Sequence, residues 1–182
     1  MRYFSFWFTV LILVSDVKAS PINSPSALHP GSTVIGFESF ADDTPVPLVV
    51  GGVTITATVA TTRVQPLAAR SFTEIPGVIE GKLLGHEDTD YFIEFDTPVS
   101  QFGMGIGDPN FSGNVLAAYD ASNNLLESVS SAPGDPIFPT GPTGGTFSTF
   151  VGFVRSSPDI KRIELIHRTG PEDKLSIDTI TF

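Results

Sequence analysis

Two acidic residues set inside apolar strand sequence are the side chains here whose types and places could do chemistry. Glu38 follows Ile35 and Phe37, and Asp178 stands between Ile177 and Ile180. A carboxylate in such a run needs a partner, because burying an isolated charge is costly. Hard oxygen ligands suit calcium, which is available at millimolar levels outside cells and is held by carboxylates together with backbone carbonyls. The first and last strands of a sandwich are often neighbours. Glu38 and Asp178 could therefore meet and hold one structural calcium; alternatively, both face water on alternate strand positions. The densest acidic run, His86-Glu87-Asp88-Thr89-Asp90, lacks the glycine and spacing of an EF-hand loop and reads more simply as a solvated turn.

Catalytic chemistry finds less support. The chain has no cysteine, which excludes disulfides, thiolate nucleophiles and thiolate metal sites together. Histidines occur at 29, 86 and 167, but the Gly-x-Ser-x-Gly elbow of a serine hydrolase is absent. Carboxylate pairs for glycoside hydrolysis are recognised by their separation in space, which a sequence does not give. The residues point to a non-enzymatic protein. Asn110-Phe111-Ser112 is the single N-glycosylation sequon, on a turn after Gly107-Asp108-Pro109.

The elements that must position these groups read as strands. Val53 to Val59 alternates apolar residues with threonine, the period of a half-buried strand. Similar runs cover Thr33–Glu38, Tyr91–Phe95, Val99–Ile106, Val115–Tyr119, Leu125–Val129, Thr146–Val154, Ile160–His167 and Leu175–Phe182, with a weak one at Ser71–Ile75. Turn residues separate them, including one turn around Thr169-Gly170-Pro171, and no stretch carries a helical stripe over three turns. The expected fold is all-β, an antiparallel jelly-roll β-sandwich of about ten short strands. Gly103, Gly105 and Gly107 alternate within one strand, which marks close packing or a bulge. A Pro/Gly-rich connection, Ala132–Gly145, carries Phe138 at its centre. Phe138 could be an exposed aromatic platform for a sugar ring, or it could pin the loop onto the sandwich.

The chain starts with Met1-Arg2, an apolar run of about 12 residues, and Val17-Lys18-Ala19, the pattern of a signal peptide cut after Ala19. That run is well short of the roughly 20 residues that span a bilayer. Residues 1–19 are thus expected to be removed, 20–31 to form a flexible proline-rich leader, and 32–182 to form a single domain. The protein should be secreted, extracellular and monomeric, with no membrane association after processing. A net charge of −10 argues against nucleic acid, whose phosphates demand clustered Lys and Arg.

Several segments also carry a resemblance. Phe95-Asp96-Thr97-Pro98-Val99-Ser100-Gln101-Phe102-Gly103, the Val115–Asn123 hairpin, Phe150-Val151-Gly152-Phe153, Ile163-Glu164-Leu165 and the closing Asp173–Phe182 stretch resemble segments of secreted bacterial β-sandwich domains found in PEP-CTERM sorted proteins. The opening Ile35-Gly36-Phe37-Glu38 and the closing stretch are also similar to galactose-binding-like carbohydrate-binding modules. That resemblance implies a jelly roll in which Glu38 and Asp178 help hold a structural calcium. Thr179 stands where the pattern has a second Asp, and the sorting tail is missing. The combined reading is a secreted, non-catalytic binding module with carbohydrate as the favoured ligand class. A structural or adhesive extracellular protein is the alternative, ahead of a glycan-active enzyme.

Overall fold

The computed structural model describes residues 20–67, 74–85, 89–141, 147–167 and 175–182. Residues 1–19, read above as a signal peptide, His86-Glu87-Asp88, Thr169-Gly170-Pro171 and parts of the Ser71–Ile75 and Ala132–Gly145 segments lie outside the described residues.

Among the described residues, thirteen strands form two antiparallel sheets. They are β1 (Ser20–Ile22), β2 (Val34–Ile35), β3 (Leu48–Val50), β4 (Val53–Ala57), β5 (Arg63–Pro66), β6 (Lys82–Gly85), β7 (Tyr91–Val99), β8 (Gln101–Gly107), β9 (Val115–Tyr119), β10 (Leu125–Ser130), β11 (Ser148–Val154), β12 (Ile160–Ile166) and β13 (Ser176–Thr181). The seven-stranded sheet runs β1-β11-β8-β13-β6-β5, with β2 also pairing to β13. The six-stranded sheet runs β10-β9-β12-β7-β4-β3. Consecutive strands cross repeatedly from one sheet to the other, giving a jelly-roll-like β-sandwich.

Alternation decides what enters the core. In β4, Val53 and Ile55 are buried whereas Thr54 and Thr56 are half-buried, so one face of the strand is apolar and the other polar. Ile55, Ile93, Ile163 and Leu116 of the six-stranded sheet join Phe102, Met104, Ile106, Val151, Phe153 and Ile177 of the other in one core. The hydroxyl of the buried Tyr91 donates to the Leu175 carbonyl at 2.8 Å, which lets a polar tip sit in this interior.

The outer face of the seven-stranded sheet is also covered. Leu28, Leu67, Val78, Ile79 and Leu83 form a second, smaller core with Phe150. Its roof is the N-terminal segment and the turn around Ile75–Glu80. The alternating glycines of β8 make that roof possible: a Cβ on Gly105 would stand 1.6 Å from the Val78 carbonyl oxygen, and one on Gly103 would stand 2.3 Å from the Phe150 ring. Gly105 admits a backbone and Gly103 a ring, which is close packing, and the partner strand β13 also shifts register between these two glycines, so both readings that the sequence left open apply.

Residues 20–31 therefore need correction. They are not a flexible leader: β1 pairs with β11 from Ser20↔Val154 to Ile22↔Gly152, and Leu28 is buried. Pro25 opens a short 3-10 turn capped by the Ser24 side chain, so the prolines here set turns instead of loosening the chain.

Candidate functional site

Both acids singled out from the sequence reach the segment Glu80–Lys82. Asp178 is fully buried and lies opposite Gly105 in the β13–β8 register. Its Oδ2 accepts from the Glu80 amide at 2.7 Å and its Oδ1 from the Thr179 amide at 2.7 Å. Glu38 sits just beyond β2, exposed, with its Oε1 accepting from the Lys82 amide at 3.3 Å. The two carboxylates thus hold alternate amides of one segment, Glu80–Lys82, where the roof turn enters β6. Burial pushes the Asp178 carboxyl up to about 7, and the nearby Glu38 charge adds to this, against the amide donors and the Thr179 hydroxyl that favour the ionised form.

Does a cation fit there? The donors are of the right kind, hard carboxylate oxygens, one exposed and one buried. The set is small: among the described residues no group of three or more His, Cys, Asp or Glu comes together, and Thr179 supplies no charge. Further ligands would have to be backbone carbonyls or water.

Phe138 requires a second correction. It is fully buried within the main core and offers no ring to a sugar. Asp135 builds the turn that drives it inward, its Oδ1 accepting from the Ile137 amide at 2.8 Å and the Phe138 amide at 2.9 Å. The Phe138 carbonyl then accepts from Ala132 N at 3.1 Å. The ring pins its loop, the other reading given above.

The open surface lies on the outer face of the six-stranded sheet. Reading the register across it, Val49, Thr54, Glu94, Arg162, Tyr119 and Leu125 form one row. Thr56, Phe92, Glu164, Ala117 and Ser128 form the next. At the centre the Arg162 guanidinium lies over the Tyr119 ring, 4.7 Å from its centroid, and its Nη2 donates to Glu164 Oε1 at 3.1 Å. Burial, then the hydrogen bond to Glu164 and its charge, raise the Tyr119 pKa, with Arg162 opposing. The Arg162 Nε is buried without a hydrogen-bond partner. Phe92 is half-buried beside this group, and Glu94, across from Arg162, is exposed. The result is a rigid plate: two aromatic rings, a locked ion pair and a border of hydroxyls.

Sequence reasoning read all of these as ordinary strand residues. The signal was the polar or aromatic residue at every second position, but which strands lie side by side was not visible.

No family model matches the chain, and no curated protein does. Among solved structures it is similar to a cleaved adhesin domain of Lys-gingipain from Porphyromonas gingivalis, at 13% identity, covering 82% of this chain and 96% of that one, with a TM-score of 0.44. It is also similar to the family 11 carbohydrate-binding module of a cellulosomal cellulase of Clostridium thermocellum, at 12% identity, covering 85% and 95%, with a TM-score of 0.35. At these scores the functional reading stands on the surface itself. Among the described residues, no helix is long and apolar enough to cross a membrane.

Proposed function

We propose that this chain is a secreted, non-catalytic module that binds neutral carbohydrate on the outer face of its six-stranded sheet. The observation that carries the reading is the Tyr119–Arg162–Glu164 group on that open face. A sugar presents C–H faces that stack on aromatic rings, and hydroxyls that both donate and accept. Tyr119 and Phe92 suit the first; Arg162, Glu164, Thr54 and Thr56 suit the second. The opposed charges on the plate favour an uncharged ligand over an acidic one. Glu164 is engaged by Arg162 and Tyr119 in fixing geometry, which supports binding over hydrolysis.

The test is retardation of the protein in native gels containing soluble neutral polysaccharides: a β-glucan, a xylan, a galactan and a mannan. Retardation on at least one is expected, reduced tenfold or more by Tyr119→Ala with an unchanged melting temperature. No retardation on any of them, or reducing sugar released from them, would sink the proposal.

A second reading concerns Glu38 and Asp178, and the buried, repelled Asp178 carboxylate favours it. We infer that these two residues help hold a structural calcium. Bound there, the ion would supply positive charge that lowers the cost of keeping both carboxylates ionised. Millimolar calcium should raise the melting temperature, and the paired Glu38→Ala and Asp178→Ala substitution should remove the shift; a melting curve unmoved by chelation counts against the site.

A further inference from the structure

On the other side of the sandwich the N-terminal segment crosses the end of β13 and leaves a cavity of about 420 Å³. That is the size range of small-ligand clefts, roughly 300–1,000 Å³. Leu28 and Val34 contribute apolar wall, and His29, Ser32, Thr179 and Thr181 contribute polar groups. None of the described residues lining it is acidic, in a chain with 20 Asp and Glu.

Two features make this more than a gap. The first is that its wall is fixed from beneath. The buried Gln101 accepts from the His29 amide at 2.8 Å and donates to Ser32 Oγ at 2.7 Å, while Ser32 Oγ donates to the His29 carbonyl at 2.6 Å. The exposed His29 imidazole is therefore presented by a turn that a buried side chain clamps at both ends.

The second feature is Thr179. Its φ is +47°, a left-handed conformation that β-branched residues avoid and that glycine adopts without penalty. The β13–β8 register shifts between Asp178 and Thr181. As a result Ile177 and Ile180 both reach the core, while Thr179 and Thr181 both line the cavity. The turn-over of the strand explains the backbone; it does not explain why a threonine and not a glycine sits at its pivot. The Thr179 hydroxyl donates to the Asp178 carboxylate, which leaves its oxygen as an acceptor at the cavity wall.

We propose that this cleft is a second binding site, for a single uncharged, polyhydroxylated ring of monosaccharide size. The chemistry of the lining selects the class. The Ser32, Thr179 and Thr181 hydroxyls have their protons committed to the His29 carbonyl, the Asp178 carboxylate and the Thr179 carbonyl, so toward the cavity these oxygens accept. Their best match is a ligand that donates, and the apolar wall favours an uncharged donor, namely hydroxyls; a carboxylate only accepts. The apolar walls meet the C–H edges of the ring. The absence of an aromatic among the described lining residues suits a single ring seated in an open cleft, not an extended chain laid on a plate. This site does not depend on the sheet-face reading above.

The experiment is titration of ¹⁵N-labelled protein with the methyl glycosides of glucose, galactose, mannose and xylose, with sodium acetate as the anionic comparison. At least one glycoside should give saturable amide shifts at Ser26–Val34 and Thr179–Thr181. His29→Ala should weaken the response at least fivefold, and Val34→Trp, at a position 61% exposed, should abolish it by filling the mouth. Tyr119→Ala should leave it unchanged. The proposal is overturned by an absence of saturable shifts with all four glycosides, by shifts that survive Val34→Trp, by a stronger response to acetate, or by loss of binding in Tyr119→Ala.

Discussion

The two outer faces of the sandwich are built on opposite principles. The seven-stranded sheet carries glycines on β8 and β11 where the other sheet carries Phe92, Glu94, Arg162, Glu164 and Tyr119. Removing side chains let the protein's own backbone descend onto one face, and that face became interior. Retaining large, mutually braced side chains on the other left it open to solvent. One domain thus has a closed back and an exposed front, and the difference rests on the residues at alternate strand positions.

The largest effect that tests this contrast should come from Gly105→Ala. Its Cβ would collide with the Val78 carbonyl oxygen, so the roof must lift; a loss of about 3 kcal/mol is expected in urea unfolding, at the upper end of overpacking costs. A loss below about 1 kcal/mol would mean that the back is not closed. Next comes Leu28→Ala, which removes a buried side chain from the roof and should cost about 2–3 kcal/mol. A near-neutral result would restore the idea of a loose N-terminal segment.

The third test uses pH. Asp178 has a folded pKa raised to about 7 from an ordinary value of 3.8. A raised carboxyl contributes stability that is full below its unfolded pKa and is lost as pH rises through the folded one. In chelator the protein should therefore be more stable at pH 4 than at pH 8, by on the order of 2–4 kcal/mol. Asp178→Asn should flatten that slope, and saturating calcium should diminish it. A profile rising from pH 4 to 8 would refute the assignment. On the front, Thr54→Ala and Ser128→Ala should change stability by about 0.5 kcal/mol or less; larger losses would show that this face too is structural.

How much of this was readable in the sequence follows the same divide. The alternation of Val53 to Val59 and the glycine spacing in β8 are local signals, and both carried through to the structure. Glu38 and Asp178 could be singled out because acids are rare in apolar runs. The N-terminal segment was misread because proline-rich composition looks loose unless the surface it covers is known. Phe138 was ambiguous for a related reason: residue type does not say whether a loop aromatic points in or out, and Asp135 decides it. The front plate stayed hidden because Phe92, Tyr119 and Arg162 come from three strands that become neighbours only through sheet register.

The pivot at Thr179 has a consequence for how this domain tolerates change in length. Substitutions near it alter one side chain at a time. Three steps of β13, from Asp178 to Thr181, span the two steps from Gly105 to Gly103 on β8, so deleting Thr179 would remove the extra residue and leave Ile180 facing the core by plain alternation. The pivot is thus the one place in this strand where a residue can be lost with its two faces kept in phase, whereas a deletion within a regularly paired stretch would turn them over.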